Sequence, residues 1–235
     1  MFIGTAGWSV DRSLPDFPQE GTALERYASV FSAVEVNSSF YRRHRPATWQ
    51  RWHDAVPSTF KFSVKLPKTI SHEKLLSDVD GEIDNFFSDI VPLGAKLGAV
   101  LVQLPPKLVF EAEVAEPFLG ALRSRTAVPI FIEPRHVSWA EASSLVGRFD
   151  ITRVYADPQH EVLRPAQNQN GISYLRLHGS PKIYYSAYPE QDIAQYAGML
   201  DSIASSSWCI FDNTASGAAI TDALRMQALV DQAQP

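Results

Sequence analysis

The chain has 235 residues, close to the usual size of one (β/α)8 barrel and long enough to bury a sizeable core. Its net charge of -5 excludes a general attraction to polyanions such as DNA or an anionic membrane. The single cysteine, Cys209, excludes an internal disulfide, and its apolar neighbours predict a buried, unreactive thiol. No basic leader precedes the first apolar segment at Phe2, and the most apolar run, Leu97 to Leu104, is too short to span a bilayer. We therefore expect a cytoplasmic protein with no membrane partner.

Eight short apolar segments predict β-strands, and most of them end in a polar or charged side chain. Because side chains alternate faces with period two, each strand presents apolar residues to one layer and polar groups to the other. The spacing between strands is about 20 to 40 residues, which suits βαβ units. The predicted strands centre near Ile3, Glu35, Phe62, Leu101, Phe131, Val154, Leu175 and Ile210.

Helical segments fit most of the gaps between these strands. They run over Thr22–Phe31, Thr48–Ala55, Asp80–Leu97, Glu113–Arg123, Ser138–Arg148, Glu190–Ser206 and Ala218–Gln234. Thr22 is a typical N-cap, and Ser138-Trp139-Ala140-Glu141 matches the capping box that marks a helix start. The segment Pro158–Gly171 is rich in Pro, Asn and Gln and predicts a loop, so the sixth βα unit is degenerate.

This pattern predicts an α/β protein, a TIM-type (β/α)8 barrel with a degenerate sixth βα unit, in a single domain spanning residues 1–235. The alternative is a doubly wound open sheet. It is disfavoured because no Gly-rich phosphate turn follows the first strand.

Polar side chains at strand ends are the candidate functional residues, because parallel barrels place their catalytic groups there. Lys65, Arg135 and Arg176 would surround one mouth with cations, which suits a phosphate or carboxylate. Glu133 and His178 are residue types used in general acid–base catalysis, and Lys65 joins them as a candidate catalytic group. The full set at strand ends is Glu35, Asn37, Lys65, Gln103, Glu133, Arg135, His136, Asp157, Arg176, His178, Asp212 and Asn213.

A buried ion-pair network is the alternative interpretation of these charges. In it, Glu35 and Glu133 would balance Lys65 and Arg176 inside the barrel. For any single residue the two interpretations are equally supported. For the whole set the functional one is favoured, because buried charges are costly and a structural lumen is usually filled with Val, Ile and Leu.

The pattern of metal-ligand residue types does not predict a metal site. Several acceptable ligands are present: His72, Glu133, His136, Asp157, His178 and Asp212. However, no HxH, HExxH or paired-Cys spacing occurs, and the neighbouring cations would oppose a metal ion. The sequence therefore predicts neither a metal nor another cofactor.

Aromatic residues occur near two of the predicted strand ends. Asn37–Tyr41 gives a polar turn followed by aromatics, and Tyr184, Tyr185 and Tyr188 follow the seventh strand. Such rings can stack on a sugar or base, or they can pack against the rim of the barrel.

Several motifs resemble those of a known family. In chain order they are Gly4-Thr5-Ala6-Gly7-Trp8, Val34–Tyr41, Trp49-x-x-Trp52, Phe62-x-Val64-Lys65, Ile70-Ser71-His72, Leu97–Pro106, Glu133-Pro134-Arg135-His136-x-x-Trp139, Leu175–Gly179 and Phe211-Asp212-Asn213. Together they resemble the YecE-like family, also called domain of unknown function 72, over essentially the whole chain. Small departures occur at Ala6, Ser39, Pro134 and Asp212. The resemblance implies a TIM-type barrel but no reaction, and the related endonuclease IV and xylose isomerase barrels are metal enzymes by fold-level analogy only.

The resulting hypothesis is an enzyme acting on a small anionic substrate, phosphorylated or sugar-like, at the C-terminal face of the barrel. Hydrolysis, isomerisation and lyase chemistry stay open, and the sequence does not define an oligomeric state. Besides the candidate catalytic residues Glu133, His178 and Lys65, the predicted ligand-binding set is Glu35, Asn37, Tyr41, His72, Gln103, Arg135, Asp157, Arg176, Asp212 and Asn213. Two alternatives are a nucleotide- or nucleic-acid-binding protein that stacks bases on Tyr41 and the Tyr184 loop, and a metal-dependent phosphoesterase.

Overall fold

A computed structural model describes residues 1–165, 173–201 and 206–233. These residues form two compact units. The first unit comprises residues 1–35, 154–159 and the described part of 165–235. The second unit comprises residues 36–153 and 160–164.

The fold is α/β, with its strands in two sheets. One sheet has the strand order β1-β9-β8-β7 and the other β2-β3-β4-β5-β6. Pairing is parallel between β1 and β9, between β9 and β8, between β8 and β7, and along β3-β4-β5-β6. The nine strands of the described residues are β1 (Phe2–Thr5), β2 (Ala33–Val36), β3 (Lys61–Lys65), β4 (Leu97–Gln103), β5 (Ile130–Glu133), β6 (Ile151–Arg153), β7 (Tyr155–Asp157), β8 (Tyr174–Leu177) and β9 (Trp208–Phe211).

Helices connect most of these strands, as parallel pairing requires. In the described part of the chain they are α1 (Ala23–Ala28), α2 (Ser38–Tyr41), α3 (Pro46–Asp54), α4 (Asp80–Ile90), α5 (Ala112–Arg125), α6 (Ser143–Arg148), α7 (Glu190–Asp201) and α8 (Ala218–Ala233). Short 3-10 turns cover Val91–Lys96, Val137–Ala142 and Glu161–Leu163, and a π-helical turn covers Thr69–Glu73. None of the helices in the described ranges has the length and apolar character needed to cross a membrane.

In the first unit, one tyrosine holds β1, α1 and the start of β2 together. The fully buried Tyr27 hydroxyl donates to the Ala33 carbonyl at 2.9 Å and accepts from the Thr5 amide at 2.8 Å. Gly4 lies against the same carbonyl, and an added Cβ would stand 2.0 Å from the Ala33 oxygen. Any other residue at Gly4 would therefore push β1 away from β2.

In the second unit, the middle of β4 is completely buried. Residues 99–102 are fully buried, as expected for an apolar run covered on both faces of a parallel sheet. Trp139 packs in the same core, and its indole N–H donates to the Leu108 carbonyl at 3.0 Å. This contact fixes the loop after β4 against the turn that follows β5.

The predicted strand at Val154 is wrong in one respect. β6 ends at Arg153 and β7 begins at Tyr155, so the structure has two short strands where the sequence predicts one. They belong to different sheets, and an apolar pattern does not show such a change of hydrogen-bonding partner.

Two predicted helix boundaries are also wrong. The helix predicted over Asp80–Leu97 ends at Ile90, because Pro92 opens a 3-10 turn and Gly94 takes a non-helical conformation with φ of 50°. Ser138 does not start a helix through a capping box. Instead, the His136 side chain accepts from the Ser138 amide at the start of a 3-10 turn, and α6 begins only at Ser143.

The predicted Thr22 cap is confirmed, with a reciprocal capping box at the start of α1. The predicted loop Pro158–Gly171 contains the Glu161–Leu163 turn, and its residues 166–171 lie outside the described part. Residues 202–205 and 234 of two predicted helices also lie outside it.

Candidate functional site

Arg176 on β8 is the centre of a buried polar network in the first unit. Its side chain is fully buried and pairs with both carboxylate oxygens of Glu35, Nη2 to Oε1 at 2.7 Å and Nε to Oε2 at 3.0 Å. Nη2 also lies 2.9 Å from Oδ2 of Asp212, and the Tyr174 hydroxyl donates to Glu35 at 2.8 Å. One guanidinium is therefore shared by two carboxylates. This arrangement resembles the buried ion-pair network more than an open anion-binding site.

His178 and Asp212 form a carboxylate–imidazole pair beside this network. Nδ1 of the buried His178 lies 2.9 Å from Oδ2 of Asp212, the same oxygen that Arg176 contacts. With Asp212 ionised, Nδ1 carries a proton and donates it to the carboxylate. Backbone hydrogen bonds fix both residues, since His178 N donates to the Asp157 carbonyl and Asp212 N to the Leu177 carbonyl. Such a pair can hold and transfer a proton.

Asp157, at the end of β7, is bonded to a buried tyrosine. The Tyr188 hydroxyl donates to Oδ2 of Asp157 at 2.9 Å and accepts from the Gly179 amide at 2.9 Å. Burial, reinforced by the charge of Asp157, raises the pKa of Tyr188, which keeps it a hydrogen-bond donor. Gly179 has φ of 93°, and an added Cβ would lie 2.7 Å from the Ser186 carbonyl. This arrangement fixes the loop that follows His178.

Asn213 supports the same loop from β9. Its Nδ2 donates to the Ser186 carbonyl at 2.9 Å and to Oδ2 of Asp222 at 2.8 Å. Asp222 is fully buried on α8, and desolvation raises its pKa. Sequence reasoning missed Asp222; the available signal was an acidic residue between the apolar positions of a predicted helix.

Lys65 is the last residue of β3 in the second unit. Only 5% of it is exposed, and its Nζ lies 4.3 Å from the centre of the Phe40 ring. The Ser39 hydroxyl donates to the Lys65 carbonyl at 2.7 Å, which ties α2 to the end of β3. Phe40 thereby becomes the aromatic wall beside the ammonium group.

The pKa of His72 reflects the positive charge near Lys65. Its pKa lies below the ordinary value, first because burial disfavours the imidazolium and then because Lys65, Lys107 and Arg135 repel it. Arg135 is itself paired with the buried carboxylate of Glu133. Lys107 was missed by sequence reasoning; it is exposed in the turn after β4, directly past a Pro-Pro pair.

The remaining predicted residues of the second unit surround the ends of β4 and β5. Glu133 is fully buried, and its Oε1 forms an ion pair with Nη2 of Arg135, whose side chain is 20% exposed. Gln103 is paired in register with Glu133. Asn37 stands at the start of α2, where its side chain makes no capping bond, and Tyr41 at its end is 68% exposed.

The structure thus divides the predicted site residues between the two units. The first contains Glu35, Asp157, Arg176, His178, Asp212 and Asn213, and the second contains Asn37, Tyr41, Lys65, His72, Gln103, Glu133 and Arg135. Of the three predicted anion-binding cations, only Lys65 and Arg135 share a unit. In the described ranges, no group of three or more His, Cys, Asp or Glu side chains could hold a metal ion.

The structure defines an α/β protein with parallel sheets and charged groups at several strand ends. The chain belongs to the family of proteins of unknown function DUF72, whose model matches residues 2–235.

Curated relatives match parts of the chain. It is 34% identical over 106 residues to UPF0759 protein YecE of Escherichia coli K12, covering 45% of this chain and 38% of that protein. It is 27% identical over 146 residues to UPF0759 protein YunF of Bacillus subtilis 168, covering 59% of this chain and 52% of that protein. The match therefore spans about two fifths to a half of the length of these relatives.

Solved structures match nearly the whole chain. A DUF72 family protein from Enterococcus faecalis V583 superposes with a TM-score of 0.79 at 23% identity, covering 98% of this chain and 95% of that one. A DUF72 family protein from Thermotoga maritima MSB8 gives the same TM-score and identity, covering 98% of both chains. These likenesses establish a shared fold.

Proposed function

We propose that the chain is an enzyme that acts on a small anionic substrate, phosphorylated or sugar-like. In this proposal Lys65, Lys107 and Arg135 of the second unit hold the anionic group. The proposal is supported by the position of Lys65 at the end of β3 beside the Phe40 ring and by the partial exposure of Arg135. The lowered pKa of His72 agrees with it.

The physical argument is electrostatic. Lys65, Lys107 and Arg135 each act on His72 as a positive charge. An anion beside His72 would therefore be attracted by all three, even with Arg135 paired to Glu133. Arg135 can offer two parallel N–H groups to a phosphate or carboxylate, whereas the two lysines act as point charges. Two charge-assisted hydrogen bonds at about 1.5–3 kcal/mol each would correspond to a dissociation constant near or below the millimolar range.

Glu133 is the candidate acid–base group of the second unit, where the proposed anion site lies, and His178 is a separate candidate of the first unit. Glu133 is buried beside Arg135, and His178 is oriented by Asp212. Both arrangements support the transfer of protons to or from a substrate. Hydrolysis, isomerisation and lyase chemistry all use such groups, and the reaction class stays open.

We also propose that the fold is a TIM-type (β/α)8 barrel in a single domain, with the sixth unit degenerate. The alternation of strands and helices and the parallel pairings support it. The interruption at Val154 and the Pro158–Gly171 segment make the sixth unit the irregular one. A crystal structure tests the proposal: a closed parallel sheet is expected, and an open doubly wound sheet would contradict it.

Calorimetric titration with inorganic phosphate tests the anion site. Wild-type protein should bind phosphate, and Lys107→Gln should weaken binding about tenfold, since one charge-assisted contact is lost. Lys107 is exposed, so this change should leave the fold intact. The matched control is Lys74→Gln, which removes an equally exposed charge paired with Glu82.

The outcome depends on the difference between the two lysine variants. Equal phosphate affinity in Lys107→Gln and Lys74→Gln, or no binding by the wild type, would contradict the proposed anion site.

A further inference from the structure

The second unit contains a cavity of about 270 Å³ beside α2, which we call the Tyr41 pocket. We propose that it binds a planar aromatic compound carrying a negative charge, with a free nucleotide as the representative of this chemistry. Its principal lining residues are Phe40, Tyr41, Arg42, His44, Trp49 and Phe86. The inference goes beyond the proposed anion site, because it depends on Tyr41 and Arg42 instead of Lys107.

The walls of the Tyr41 pocket supply aromatic surface. Phe40 and Tyr41 meet edge to face with their centres 5.0 Å apart, so their ring planes are perpendicular. Tyr41 is 68% exposed although it lines a cavity, which leaves much of the ring available for stacking. Base–aromatic stacking tolerates any flat ring, and the cavity is near the lower end of the sizes seen for small-molecule sites.

A buried donor on the pocket wall lacks an acceptor. Trp49 is 1% exposed, and its Nε1 has no hydrogen-bond partner among the described residues. Buried indole N–H groups usually find a partner, so the free protein carries an unsatisfied polar group here. Nε1 is enclosed by protein, so Trp49 contributes to the pocket wall through its ring atoms.

Among the described residues, the charged side chains that line the Tyr41 pocket are paired with one exception. Glu82 on its wall binds Lys74 at 2.6 Å. Arg43 is already paired with Asp89, through two contacts of 2.8 Å. Arg42 has no carboxylate within 4.0 Å in the part of the chain that the structure describes. Burial, and next the charge of Arg42, lower the pKa of His44, so this ring stays neutral near pH 7 and adds no second cation. A single phosphate or carboxylate is the complementary group.

A free nucleotide combines both features, a flat heteroaromatic ring and a phosphate. The aliphatic sugar phosphates lack the ring, and neutral nucleosides lack the charge. A nucleic-acid strand would have to overcome the net charge of -5 of the whole chain, so we assign the pocket to the small molecule.

Calorimetric titration with AMP, adenosine and ribose 5-phosphate tests the assignment. We expect AMP to bind more tightly than either fragment. Tyr41→Ala should weaken AMP binding about tenfold or more, since stacking on one aromatic ring is lost, and Arg42→Gln should weaken it to a similar extent. The controls are Val162→Ala and Arg12→Gln, which reduce an exposed apolar side chain and remove an exposed charge outside the pocket lining and should bind AMP as the wild type does.

The outcomes separate the Tyr41 pocket from the proposed anion site. If AMP binding is lost in Lys107→Gln but unchanged in Tyr41→Ala, the pocket proposal is wrong and the anion site stands. Equal affinity for AMP and ribose 5-phosphate, or no AMP binding, would also overturn it. Tighter binding of a short single-stranded oligonucleotide than of AMP would overturn the assignment to a free small molecule.

Discussion

Replacing Arg176 by methionine should strongly destabilise the native state. The side chains of Arg176 and Glu35 are fully buried and that of Asp212 is 7% exposed. Arg176→Met keeps a side chain of similar length but leaves two acidic groups in a dry environment without their shared cation. Glu35 would retain only the Tyr174 hydroxyl among the hydrogen bonds described above.

The magnitude follows from the burial of the pair. Removing one partner of a buried ion pair typically costs about 3–5 kcal/mol, because the other charge is left uncompensated. Arg148 provides the matched control, since it pairs with Glu116 at 2.8 Å but both side chains are more than half exposed. Arg148→Met should cost less than about 1 kcal/mol.

Urea unfolding followed by circular dichroism measures both losses. The loss of unfolding free energy in Arg176→Met should be smaller at pH 5 than at pH 8, because protonation neutralises a buried carboxylate that has lost the guanidinium. The double variant Glu35→Gln/Arg176→Met should recover part of the stability, because it removes one of the two carboxylates that have lost the guanidinium. If Arg176→Met unfolds at the same urea concentration as Arg148→Met while phosphate binding falls, Arg176 is a ligand residue and this reasoning is wrong.

Three further predictions concern single groups. The native Cys209 thiol should not react with a thiol reagent at pH 8, because burial raises its pKa, and it should react fully in denaturant; stoichiometric reaction of the folded protein would refute this. Thr22→Ala should cost about 1 kcal/mol of unfolding free energy through loss of the α1 cap, whereas Thr59→Ala, in an exposed turn, should be neutral. Burial raises the pKa of Asp222 above its ordinary value of 3.8, so the folded state favours the protonated carboxyl. The stability that Asp222 contributes is therefore fully present below pH 3.8 and is lost as the pH rises through the raised pKa. Asp222→Asn should remove that dependence from acid unfolding curves, and Asp231→Asn, exposed on the same helix, should not.

Much of the fold could be predicted because local patterns report burial directly. The β4 segment is an uninterrupted apolar run, and it is buried in the structure as the pattern requires. The Thr22 cap was equally readable, because a cap depends on residues within one turn. In contrast, the break at Val154 depends on which strands exchange hydrogen bonds, and no local pattern encodes that choice.

The candidate site was predictable only in part, for the same reason. Strand-end position selected Lys65, Glu133 and Arg176 as candidate site residues, and all three are buried; their role in binding or catalysis stays a prediction. Strand-end position did not show that Arg176 pairs with Glu35, which lies 141 residues away in the chain. Lys107 was missed because it lies in a turn past the strand end, and its effect on His72 depends on tertiary proximity.

The most direct test of the proposed anion site is the titration of His72 followed by NMR, with its imidazole signal assigned by its loss in His72→Gln. In the free protein the pKa should lie below 6.5, because burial and the three surrounding cations disfavour the imidazolium. Saturating phosphate should raise that pKa, since an anion bound among Lys65, Lys107 and Arg135 offsets their repulsion, whereas sodium chloride at equal ionic strength should raise it less. An identical His72 titration in phosphate and in chloride would contradict the presence of an anion site at these cations.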